Sequence, residues 1–235
     1  MQPVLSENKK DEPNAKAINL GYWSAILATL FSVGFTVTVI VSAMISPSGE
    51  WSGIEQYAAS FQTAQVIPVV PPLLLAPTFV ALVASLYLRT SQDKKIFGLI
   101  ALSFTIMYAT IIWIIDYIEL TVVRQNILNG TIEGLALWAI PNPRSLFFAL
   151  EAAGYFFLGI STLFAAPLFG KGTLETWIRW FFVTNGLISI AGIIAYAFGN
   201  VTTVFATLII WAMIFPLATA LIAMPFRRAK VGSRV

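Results

Sequence analysis

Apolar runs of roughly 20 residues or more recur along the whole chain, each long enough to cross the roughly 30 Å hydrocarbon core of a bilayer as a helix. In lipid, every backbone N–H and C=O must find its partner within the protein, so a chain like this is limited to helices or a closed barrel. Unbroken apolar runs, rather than short alternating ones, select helices. The runs divide into six spans, at 21–45, 64–88, 96–115, 145–169, 178–198 and 201–224. The expected fold is all-α, a polytopic six-transmembrane-helix bundle. Charged residues are 11% of the chain against about 25% in soluble domains. The longest stretch between the spans, 116–144, has 29 residues, too short for a separate folded domain. The organisation expected is a disordered polar tail at 1–20, a single membrane domain at 21–225 and a basic tail at 226–235. The first run follows basic residues, as in a signal peptide, but is too long for one and is kept as span 1.

Charge placement sets the sidedness. Every Lys and Arg apart from Arg124 and Arg144 falls in the N-terminal tail, the 89–95 turn, the 171–179 turn or the C-terminal tail. These are alternate connections of a six-span chain, so the positive-inside rule puts both termini in the cytoplasm of a cell membrane. The net charge of +3 is scattered over these segments rather than gathered in a stripe, so nucleic acid is not an expected partner. Cys and His are both absent. Their absence removes the usual zinc and haem ligands and the Ser-His and Cys-His nucleophile pairs. No catalytic residue, metal site or cofactor is expected.

The chemistry is concentrated between spans 3 and 4. Asp116 follows Lys95 by about 20 residues and Glu151 precedes Lys171 by about as many, so both lie roughly 30 Å from the basic side, at one level near the outer interface. Glu119 lies a turn further out on the face of Asp116. Arg124, where a loop is expected to begin, and Arg144 lie further out still. A carboxylate at this depth is costly unless paired or wetted. The preferred account puts these acids among headgroups and water, loosely paired with the two arginines. The sharper account makes Asp116, Glu119 and Glu151, with Arg124, Arg144 and Tyr155, a shared ligand- or ion-binding site.

Four prolines, Pro68, Pro71, Pro72 and Pro77, interrupt span 2. Each removes a helical hydrogen bond, so the outer half should be kinked or unwound, either as a structural kink or as a broken-helix wall of the site. Before it, Ser52 and Glu55 form a capping-box pattern opening an interfacial helix with Ile54, Tyr57, Ala58 and Phe61 on one face. The apolar stretch 134–140 of the outer loop is too short to cross the bilayer. It reads first as an anchor through Trp138 and second as a lid over the acids. Small residues at Ala149 and Ala153, Ser161 and Ala165, and Ala191 and Ala195 have the spacing that lets helices approach closely, and Asn185 reads as a helix-to-helix hydrogen bond.

No family motif or inverted repeat stands out. Two functions fit: a small carrier, channel or ligand-binding membrane protein that attracts a cation or amine to an outward-facing acidic site, or a non-catalytic structural or accessory subunit of a larger membrane complex. An intramembrane two-carboxylate hydrolase ranks below both, because the chain lacks the usual ligands and nucleophiles. The expected partners are the lipid bilayer, a small cation or amine, and either further copies of the chain or members of a membrane complex.

Overall fold

The computed structural model describes residues 15–46 and 50–232. Among them there is no strand, and the helices are α1 (Ala15–Ile45), α2 (Ile54–Ser60), α3 (Val70–Arg89), α4 (Lys95–Ile118), α5 (Arg124–Leu128), α6 (Leu146–Ala165), α7 (Thr173–Ala197) and α8 (Val201–Gly232). Six segments built on α1, α3, α4, α6, α7 and α8 are long and apolar enough to cross a membrane. Their outward faces carry large exposed apolar side chains, among them Leu30, Ile40, Leu187, Ile209 and Met213. Such faces suit a lipid solvent, and the architecture fits a multi-pass integral membrane protein.

The six helices form a closed ring. Each packs on its neighbours in chain order, and α8 returns to α1. At the centre, Phe79, Tyr108, Tyr155, Trp211 and Phe215 close a circuit of ring contacts with centroids 5.2 to 6.4 Å apart. This aromatic layer joins α3, α4, α6 and α8 and fills the bundle where an open bore would otherwise run.

The basic connections gather at one end. Lys94 Nζ donates to the Pro167 carbonyl at 2.7 Å, and the Arg89 guanidinium lies over the Phe226 ring at 4.8 Å. Lys230 Nζ donates to Asn19 Oδ1 at 2.7 Å, tying the last helix to the first. Lys9, Lys10 and Arg234 lie outside the described residues.

Element boundaries differ from the expectation in several places. Helix α1 starts at Ala15, inside the segment assigned to a disordered tail, of which residues 1–14 are outside the described region. Helix α8 carries the basic segment as helix to Gly232. No loop begins at Arg124: α4 passes through a π-helical turn, Glu119–Val123, directly into α5. Helix α2 forms, but not by the Ser52 and Glu55 cap. Gly53 is its N-cap residue without a side-chain bond, and Ser52 Oγ donates instead to Gln56 Oε1 at 2.7 Å. The outer part of span 2 is a 3₁₀ helix, Thr63–Val69, containing Pro68. Pro71 and Pro72 open α3, where no backbone donor is needed, and Pro77 alone lies within it.

The closest helix approaches use glycine more than the alanine pairs. A Cβ on Gly159 of α6 would collide with Ser189 Cβ of α7, and one on Gly154 would lie 2.8 Å from Ile112 Cδ1 of α4. Gly186 and Gly192 play the same part against Leu163 and Thr207. Of the small residues read from spacing, Ser161, Ala165 and Ala195 are buried within the bundle, and Ala191 is exposed. Asn185 Nδ2 donates to Thr162 Oγ1 at 2.9 Å, joining α7 to α6.

Gly159→Ala should lower stability by about 1–3 kcal/mol through overpacking against Ser189. Gly34→Ala, whose new Cβ would meet only Pro71 at 3.7 Å, should leave it unchanged. Thermal unfolding of the detergent-solubilised pair measures the difference. Thr162→Val should destabilise by about 1 kcal/mol by stranding the Asn185 amide, and adding Asn185→Leu should recover part of that loss in a double-mutant cycle.

Candidate functional site

The site follows from the register of two antiparallel helices. Thr105 Oγ1 and Ser161 Oγ share a hydrogen bond of 2.6 Å, the Tyr108 and Tyr155 rings lie 6.4 Å apart, and Ile112 packs on Gly154. Each step outward along α4 is therefore a step backward along α6. One turn beyond Ile112 this register brings Asp116 to the level of Glu151, with both Glu151 and Glu119 within electrostatic reach of it. The structure thus gathers Asp116, Glu119 and Glu151 into one group, with Tyr155 a turn below Glu151 and Tyr108 two turns below Asp116.

These acids do not stand on the protein surface. Asp116 is 4% exposed and Glu119 0%, and Glu151 is partly buried. Nor do the arginines pair with them. Among the described residues no Lys or Arg forms an ion pair with any of the three: Arg144 is exposed and Arg124 half-buried on α5. Asp116 Oδ2, both Glu119 oxygens and the Tyr108 hydroxyl are buried without a hydrogen-bond partner. The Ile140 backbone approaches the Glu119 carboxylate without meeting hydrogen-bond geometry.

A cap covers the end of this group that lies away from the basic connections. Tyr57 of α2 packs with Val123, Ile127, Leu135 and Ala139, and Trp51, Ile54, Phe61 and Trp138 add to the same cluster. The apolar face of α2 and the 134–140 stretch therefore bury against each other and against the end of α4. Trp138 is half-buried in this packing. Asn142 braces the segment by donating to the Ala136 carbonyl at 2.6 Å and accepting from the Arg144 N–H at 3.0 Å. Burial, with the Glu119 carboxylate facing it, pushes the Tyr57 hydroxyl above its usual range.

Beside the acids lies a pocket lined by α6, α7 and α8. Glu151, Tyr155, Phe148, Gly192, Thr207 and Trp211 are among its walls, and it leaves about 30 Å³ for the centres of water molecules. That is room for about two waters. Its outer edge is made by Phe148, stacked on Tyr196 at 6.3 Å and edge-on to Phe205 at 6.2 Å. None of the four prolines lines it. Pro77 instead borders a shallow groove with Trp113 between α3 and α4, and Pro71 packs towards Gly34 of α1, so the broken-helix wall is not part of this cavity.

Tyr108, Trp211, Phe148 and Thr207 were not singled out from the chain. Tyr108 alone carried a signal, since it falls on the Asp116 face of α4 two turns earlier. Trp211 is one of seven Trp in an aromatic-rich chain, and no periodicity marks it. Among the described residues no group of three or more His, Cys, Asp or Glu could hold a metal ion. Compared with known proteins, the chain matches no family model, no curated sequence and no solved structure.

Proposed function

We propose that this protein binds a small cation within the membrane, as a carrier, channel or ligand-binding protein, through the acidic group Asp116, Glu119 and Glu151. One observation carries the reading: three carboxylates share a region inside the bundle with no basic partner among the described residues. Charge buried in lipid is retained where it serves an ion or proton path, and a cation is the natural counter-charge for such a group. The cavity beside Glu151 supplies space next to it. Structural charges would instead pair with Arg124 and Arg144, which they do not.

The accessory-subunit reading rested on small-residue faces free to receive another protein. Ser161, Ala165 and Ala195 are buried inside this chain, Ala149 and Ala153 are half-buried and Ala191 is exposed, while the glycine contacts join the chain's own helices. In the proposed orientation the basic end faces the cytoplasm and the capped, acidic end faces outward.

Because the chain has no Cys, single cysteines report this orientation cleanly. A membrane-impermeant maleimide applied to intact cells should label Asn129→Cys and not Ser91→Cys; the reverse pattern would invert the bundle. In reconstituted vesicles, uptake of small inorganic and organic cations should be lost when Asp116→Asn is combined with Glu151→Gln. Unchanged uptake would remove the acidic group from the account.

A further inference from the structure

We infer that the cavity between α6, α7 and α8 is a site for a small primary alkylammonium ion of methylammonium size, held by Glu151 against the Tyr155 and Trp211 rings. The inference rests on the proposed cation role and names the class of cation. Its first support is the polarity of the walls. Thr207 Oγ1 donates to the Val204 carbonyl at 2.7 Å and Ser189 Oγ to the Asn185 carbonyl at 2.8 Å, so both hydroxyls are spent as donors and keep lone pairs to offer. Together with the Glu151 carboxylate they form a set of acceptors for a ligand that carries N–H donors.

The second support is aromatic geometry. Tyr155 and Trp211 meet edge to face, centroids 5.2 Å apart and planes at 76°, which makes a corner of two π surfaces on the cavity wall. Ring faces attract ammonium groups and also accept the alkyl carbon. Trp211 is 2% exposed, and its Nε1–H has no hydrogen-bond partner in the protein. Hard metal cations need a different environment. Calcium takes six to eight oxygen ligands and magnesium an octahedron, whereas this cavity has one carboxylate and lies in a described region without a metal-capable cluster. Size is compatible: space for about two water molecules admits one carbon and one nitrogen.

The test is equilibrium binding of radiolabelled methylammonium to the purified, detergent-solubilised full chain, with monodispersity and thermal unfolding checked for each variant. Saturable binding to one site is expected, lost in Glu151→Gln, blocked in Ala152→Leu, which fills the cavity without touching its charge, and weakened on the order of tenfold in Trp211→Phe. Tetramethylammonium and magnesium chloride should compete poorly. Displacement of methylammonium by equimolar magnesium or sodium, with dependence on Glu151 retained, would overturn the alkylammonium assignment and leave the acidic cation site standing. Full binding in a folded Ala152→Leu protein would place the ion outside this cavity. Absence of any Glu151-dependent cation binding, with vesicle uptake insensitive to Asp116→Asn and Glu151→Gln, would remove both readings together.

Discussion

The contact on which the rest depends is the close approach of α4 and α6. Gly154 admits Ile112, and the Thr105 to Ser161 hydrogen bond locks the two helices in depth. In lipid no hydrophobic force pulls helices together, so small side chains and buried polar pairs determine which surfaces meet and in what register. A shift of one turn between these helices would move Asp116 about 5 Å from Glu151 and dissolve the acidic group. The site is thus a product of packing several turns away from it.

Two other features enclose the acids. Below them lies the aromatic circuit through Phe79, Tyr108, Tyr155, Trp211 and Phe215, which separates the acidic end of the bundle from the basic end. Above them sits the cap in which α2 and the 134–140 stretch bury one another's apolar faces. Between floor and roof, water is scarce and the effective dielectric is low, which magnifies both the penalty on a lone carboxylate and its attraction for a counter-ion. Tyr155 and Trp211 belong to the floor and to the cavity wall at once, so occupancy of the cavity and packing of the floor are mechanically linked.

The spans were legible because lipid demands long apolar helices and hydropathy records that demand directly. Asp116, Glu119 and Glu151 were legible because acids are rare at such depth, and counting residues from the basic turns gave their heights. Their burial was not. Arg124 was read as the start of a loop because a charge ordinarily marks the interface, yet the helix continues past it to pack against the cap. Ser52 and Glu55 match a local capping pattern that Gln56 outcompetes. Ring closure by α1 and α8, the glycine contacts, and the meeting of Trp211 with Tyr155 depend on which faces oppose one another across the bundle, and a single chain's periodicity does not encode that.

The π-helical turn at Glu119–Val123 stores one surplus residue within an otherwise α-helical rod. The wider turn absorbs that residue, so removing it would let the rod close into uninterrupted α-helix while Ile127 kept its place facing Tyr57. The roof and the acids beneath it therefore ride on one helix whose facing survives the surplus residue between them.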